Sequence, residues 1–262
     1  MLRTRVISAA VLLVIVTIPA YLGGWPFLAL IAAAAGLASW EYCKLLRLGG
    51  YQPSLALTIA LSLLFVAQAQ WPEIIPLGLL LTIMVIGSLL LTLWRKTPQP
   101  ITDWALSLAG ALYLGWLLGH ALSLRAAPQG LLWLALAALA VWTDDVSAYF
   151  AGRAFGRHPW WPRHSPKKTW EGYLAGAAAT LLVTALLSVY VLGAGWLEGL
   201  ALGLLLGLVT PLGDLAESML KRQMHAKDSS ALIPGHGGVL DRIDTLLVAI
   251  PIVFYWATFL SP

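Results

Sequence analysis

Seven stretches of this chain, residues 6–40, 48–72, 74–94, 104–124, 126–143, 172–197 and 245–262, contain no Asp, Glu, Lys or Arg. Most approach or exceed the ~20 apolar residues that a helix needs to cross the hydrocarbon of a bilayer. Inside that hydrocarbon every backbone N–H and C=O must be satisfied within the structure, so only helices and closed barrels span it. The runs are too long, and alternate too weakly, for the roughly 9 to 11 residue strands of an outer-membrane barrel. Helical spans follow. Of the 262 residues 60% are hydrophobic and 11% charged, against about 25% charged in a soluble domain, which excludes a soluble globule.

Cutting the runs at Gly, Pro and charge clusters places spans at 6–23, 26–46, 54–71, 74–94, 103–124, 130–151, 171–193, 196–222 and 244–260. The expected fold class is all-α, a polytopic membrane protein of about nine helices. With the N-terminus inside, alternating connections collect Arg3, Arg5, Lys44, Arg47, Arg95, Lys96, Arg153, Arg157, Arg163, Lys167, Lys168, Lys221, Arg222, Lys227 and Arg242 on the cytoplasmic face and leave only Arg125 outside. One missed or added helix would invert every later loop, so this bias argues for N-in, C-out in the cytoplasmic (inner) membrane. The first span follows Arg3 and Arg5 as a signal peptide would, but it lacks a clear A-x-A site, and a retained helix is expected. The lone Cys43 excludes an intrachain disulfide, a CxxC pair and a thiolate zinc cage, and is read as packing.

Residues 1–128 hold few polar groups inside their spans beyond Glu41, Asp103 and His120, and read as a scaffold. From Trp142 onward carboxylates enter the spans and the connections lengthen, so chemistry is expected in residues 129–262. The sixth span carries Asp144 and Asp145 about two turns from its end. Each costs roughly 2.5 to 3.5 kcal/mol near a helix centre unless it faces a cavity or a partner. Asp145, Tyr149 and Gly152 share one face, while Asp144 lies 100° away. An ion pair that locks two helices together is the plainer alternative.

The run Ser165-Pro166-Lys167-Lys168-Thr169-Trp170-Glu171-Gly172 sets two ammonium groups, a hydroxyl and free N–H groups ahead of a helix, as an anion site requires. A membrane-anchoring loop with Thr169 as an N-cap would account for the same residues. In the eighth span Pro211 and Gly213 loosen the helix where freed backbone must line a cavity. Asp214, Glu217, Ser218 and Lys221 then form one stripe at i, i+3, i+4 and i+7, of which Glu217 and Lys221 alone would be an ordinary surface pair. Beyond it, Gly235, Gly237 and Gly238 around His236 permit close backbone approach to a ligand, and Asp241 and Asp244 share a helical face. Carboxylates beside Lys and Arg clusters suit Mg²⁺, which takes one or two protein carboxylates and completes its shell with water and phosphate oxygens. A helix cap and a plain glycine turn are the alternative.

The segment Ser218 to Asp244, S-M-L-K-R-Q-M-H-A-K-D-S-S-A-L-I-P-G-H-G-G-V-L-D-R-I-D, resembles the signature of the phosphatidate cytidylyltransferase (CDP-diacylglycerol synthase) family. S-P-K-K-T-W-E-G and the D-x-x-A-Y-x-x-G run from Asp145 resemble two further blocks of that family, in the same order. Val146 and Ser147 depart from the small polar residue and glycine expected after that aspartate, and Asp144 is an extra acid.

The resemblance implies transfer of the cytidylyl group of CTP to phosphatidate, releasing pyrophosphate, with Mg²⁺ and with room for a second metal ion. It implies Asp214, Asp241 and Asp244 as metal ligands, and Lys221, Arg222, Lys227 and Arg242 on phosphoryl oxygens. Lys167, Lys168 and Thr169 would contact either the triphosphate or the lipid phosphate. Asp145, Tyr149, Ser165, Glu171, Ser218, His236, Gly237 and Gly238 complete the substrate-binding set, His236 without metal ligation. Expected partners are CTP, phosphatidate, the bilayer and a second copy in a homodimer, with no nucleic acid. A secondary transporter of an anionic solute is the alternative, with Pro211 and Gly213 as its broken helix; charges gathered at one surface, without internal repeats, count against it.

Overall fold

The computed structural model describes residues 2–260. The side chains of Arg3 and Arg5, on which part of the expected orientation rests, lie outside the described residues, as do Met1, Ser261 and Pro262. The helices are α1 (Leu2–Leu22), α2 (Gly24–Leu48), α3 (Leu55–Gln70), α4 (Leu77–Thr92), α5 (Pro100–Ala126), α6 (Gly130–Phe155), α7 (Trp170–Tyr190), α8 (Trp196–Gln223) and α9 (Leu240–Phe259). Among the described residues α2 and α5 to α9 are long and apolar enough to cross a membrane, and three shorter apolar helices, α1 (from Val6), α3 and α4, accompany them. The chain is an all-α polytopic membrane protein. Its short strands β1 (Pro159–Trp161) and β2 (Ser165–Thr169) pair antiparallel between α6 and α7.

Two compact units are present. One takes the chain up to Ser123 and adds Gln223–Arg242; the other takes Leu124–Arg222 and the chain from Ile243 onward. Gln223–Arg242 thus returns to the N-terminal unit after the helices of the second.

In the first unit the polar residues of the spans find partners across helices, as groups denied water must. Ser39 on α2 meets Ser62 on α3 at 2.9 Å, and Tyr42 donates to the carbonyl of Leu106 on α5. Asp103, near the start of α5, accepts the Gln52 amide at 2.6 Å. Cys43 is fully buried and packs. Large apolar side chains such as Val11, Ile83 and Leu90 remain exposed, the surface that lipid covers in a multi-pass protein.

In the second unit glycines set the helix spacing. A Cβ on Gly203 of α8 would stand 2.7 Å from the Leu181 carbonyl oxygen of α7, and one on Gly207 2.8 Å from that of Ala177. The G-x-x-x-G spacing of Gly199, Gly203 and Gly207 thus lets two backbones touch, and dispersion then replaces the hydrophobic drive that lipid cannot supply. Thr169 begins α7 as its N-cap, its hydroxyl accepting the Gly172 amide at 3.2 Å. Within α8 the chain turns at Thr210, Pro211 offers no N–H, and the helix resumes through Gln223.

Candidate active site

In the second unit the break at Pro211 lies just before the polar stripe. Gly213 follows it, and a Cβ there would stand 2.9 Å from the Asp244 carbonyl oxygen and 3.3 Å from the Thr245 Cα. The missing side chain brings α8 against the chain at Asp244. As a result Asp214, Glu217 and Asp244 each offer a carboxylate oxygen, all within 4.8 Å of one another. Three such oxygens, with Glu217 buried, form a hard-oxygen donor set of the kind Mg²⁺ takes. The Ser218 hydroxyl donates to Asp214 Oδ1 at 3.2 Å and so orients it.

Two lysines balance this acid group. Lys221, one turn along α8, pairs with Glu217. Lys168, from β2, sets its ammonium 2.7 Å from Asp214 Oδ2 and 5.7 Å from the centroid of the Trp160 ring. Trp160 in turn stacks on Tyr173 at 4.2 Å, so β1 and the first turn of α7 aim the Lys168 stem. The S-P-K-K-T-W-E-G run and the stripe on α8 therefore meet at one point, although Lys168 and Asp214 lie 46 positions apart in the chain.

On α6 the two adjacent acids part company. Asp144 is buried, its Oδ1 against the bare Cα face of Gly176 on α7 and without a hydrogen-bond partner among the described residues. Asp145 is exposed and lies close enough to Asp244 for their charges to interact. Tyr149 accepts a hydrogen bond from Arg153 at 3.2 Å. Several residues expected on substrate have structural partners. The Glu171 carboxylate accepts the backbone amides of Arg157 and His158 and meets the His158 ring at 2.6 Å, beside an open cavity of about 430 Å³ lined also by Phe155 and Gly156. The Thr169 hydroxyl serves as the N-cap already described, while Ser165 opens β2 and Lys167 is exposed.

The first unit holds the rest of the signature. Asp241 Oδ2 accepts the Ser229 amide at 2.9 Å, the Ser229 hydroxyl at 2.8 Å and the Gly238 amide at 2.8 Å. Gly237 has φ +85°, and a Cβ there would lie 2.6 Å from Asp241 Oδ2, so glycine suits both the conformation and the space. A Cβ on Gly238 would collide with Ser229 Oγ and Glu41 Oε1. His236 donates its amide to the Ile233 carbonyl, and its Nδ1 is buried without a hydrogen-bond partner among the described residues. Lys227 and Arg242 are exposed, as is Arg222 in the second unit. Glu41, read as part of a scaffold, is the acid the sequence did not single out; its one signal was a carboxylate inside an otherwise apolar span.

Residues 3–260 match the model of the Cytidylyltransferase family. The chain is 39% identical to a phosphatidate cytidylyltransferase of Pseudomonas aeruginosa, over 98% of each chain. It is 36% identical to one from Synechocystis sp., over 98% of this chain and 97% of the relative, and 37% identical to one from Brucella abortus, over 100% and 95%.

Proposed function

The chain belongs to the cytidylyltransferase family, and from that premise we propose that it transfers the cytidylyl group of CTP to phosphatidate, giving CDP-diacylglycerol and pyrophosphate for phospholipid synthesis. The enzyme is a nucleotidyltransferase. A phosphate oxygen of phosphatidate attacks the α-phosphorus of CTP, the bond from that phosphorus to the bridging oxygen breaks, and pyrophosphate leaves with the bond's electrons. Phosphatidate is already ionised at neutral pH, so no general base is required. The difficulty is repulsion between two anions, which cationic groups offset.

Lys168 and Lys221 stand at the acid group, and the resemblance implies Arg222, Lys227 and Arg242 on further phosphoryl oxygens. Asp214 and Asp244, with Glu217 beside them, would hold Mg²⁺, and the resemblance implies the same role for Asp241. Bound there, the ion would neutralise phosphate charge. The observation that supports this reading most directly is the contact of Lys168 with Asp214, at 2.7 Å, which joins the S-P-K-K-T-W-E-G block to the polar stripe that leads into the Ser218–Asp244 block. The basic loops favour N-in, C-out orientation with the reacting groups at the cytoplasmic boundary, where a soluble nucleotide and a lipid headgroup can both arrive. A homodimer remains part of the proposal on the resemblance alone. The transporter alternative gains no support, since the relatives described are transferases.

Purified protein supplied with phosphatidate, labelled CTP and Mg²⁺ is expected to form a lipid-soluble cytidine product. Absence of that product, with labelled anion accumulating in sealed vesicles instead, would overturn the assignment.

A further inference from the structure

Glu41 lies on α2, with no charged residue among the 35 positions before it in the chain, and its side chain is fully buried at 0% exposure. An ionised group in that setting is costly unless every lone pair is used. Both oxygens are used, and by one segment. Oε1 accepts the Ser230 hydroxyl at 2.6 Å and the Val239 amide at 2.9 Å. Oε2 accepts the Leu240 amide at 2.7 Å and lies 3.2 Å from the Ser229 hydroxyl, whose one proton it shares with Asp241 Oδ2.

Val239 and Leu240 stand at the start of α9, whose first amides have no carbonyl partner within the helix. Glu41 satisfies them from 198 and 199 positions away. Its contacts close the loop at both ends, at Ser229–Ser230 and at Val239–Leu240, while Asp241 ties Ser229 to Gly238 from within. Gly238 leaves no room for a side chain between the two acids.

We infer that Glu41 is a positioning residue for the cytidylyl transfer, holding the Ser229–Leu240 loop and the start of α9 in the conformation that presents His236, Gly237 and Gly238 to substrate. This rests on the reading above that the loop carries substrate contacts. Glutamine at this position keeps the length but replaces one acceptor oxygen by an NH₂ that opposes two donors.

The test is Glu41→Gln, followed by amide hydrogen exchange, thermal melting in detergent and steady-state kinetics. The remaining oxygen can take one amide, so exchange at whichever of Val239 and Leu240 faces the NH₂ is expected to quicken by about tenfold or more, the loss of one charge-assisted hydrogen bond. The Trp170 amide, bonded to the His158 carbonyl at 2.9 Å, should keep its wild-type exchange, melting should shift little, and kcat should fall. Unchanged exchange at Val239 and Leu240 would overturn the anchor; quickened exchange with wild-type kcat would overturn its service to the reaction. If Glu41→Gln does not accumulate as folded protein, Glu41→Asp, one methylene too short to reach both amides, takes its place with the same outcomes read. Wild-type protein that made no CDP-diacylglycerol would sink the functional reading instead, and exchange would still report on the anchor.

Discussion

Lys168→Met removes one charge while keeping an unbranched apolar stem to lie over Trp160. In the free enzyme the Lys168 ammonium is 2.7 Å from Asp214, with the two side chains 28% and 33% exposed. At that exposure solvent screens the pair to about 1 kcal/mol. A cation that takes Asp214 Oδ2 displaces the ammonium, so its removal should lower the Mg²⁺ concentration for half-maximal activity by up to about fivefold, the equivalent of that energy. The freed ammonium is also the group offered to a phosphoryl oxygen. A charge-assisted hydrogen bond contributes about 1.5–3 kcal/mol, which predicts a roughly 10- to 150-fold loss in kcat/KM. Initial rates at limiting CTP and at limiting phosphatidate, each across a Mg²⁺ series, separate the effects: loss confined to one substrate identifies the phosphate that Lys168 contacts. Wild-type kcat/KM for both substrates with an unmoved Mg²⁺ curve would return Lys168 to the role of a structural pair.

Asp214→Asn and Asp244→Asn should each lose nearly all turnover and need more Mg²⁺ for what remains, whereas a purely structural change would lower the melting temperature at an unchanged Mg²⁺ response. Thr169→Ala should destabilise by about 1 kcal/mol through loss of the α7 cap, and Thr169→Ser should restore it, as measured by denaturation in detergent. Gly203→Leu should lower the melting temperature sharply, because even a Cβ would meet the Leu181 backbone at 2.7 Å; a wild-type melt would refute the close packing of α7 and α8. A topology reporter joined after the last residue should be active only outside the cytoplasmic membrane, and cytoplasmic activity would overturn N-in, C-out.

The spans were legible in the sequence because bilayer hydrocarbon imposes a one-dimensional rule: enough consecutive apolar residues to bury a helix, with charges at the ends. The acids and lysines of α8 were legible for a similar reason, since helical period alone places Asp214, Glu217, Ser218 and Lys221 on one face. Period and hydropathy cannot state which distant groups meet. Lys168 reaches Asp214 because β1 and β2 fold back over the start of α7, and Asp244 joins Asp214 and Glu217 because Gly213 lets two backbones touch. Glu41 looked like an isolated acid in a scaffold helix, and only the tertiary structure supplied its four donors, from residues nearly two hundred positions away. Burial made the difference: a carboxylate removed from water has to collect hydrogen bonds wherever the fold brings donors, and that convergence is a property of the packed chain rather than of any segment in it.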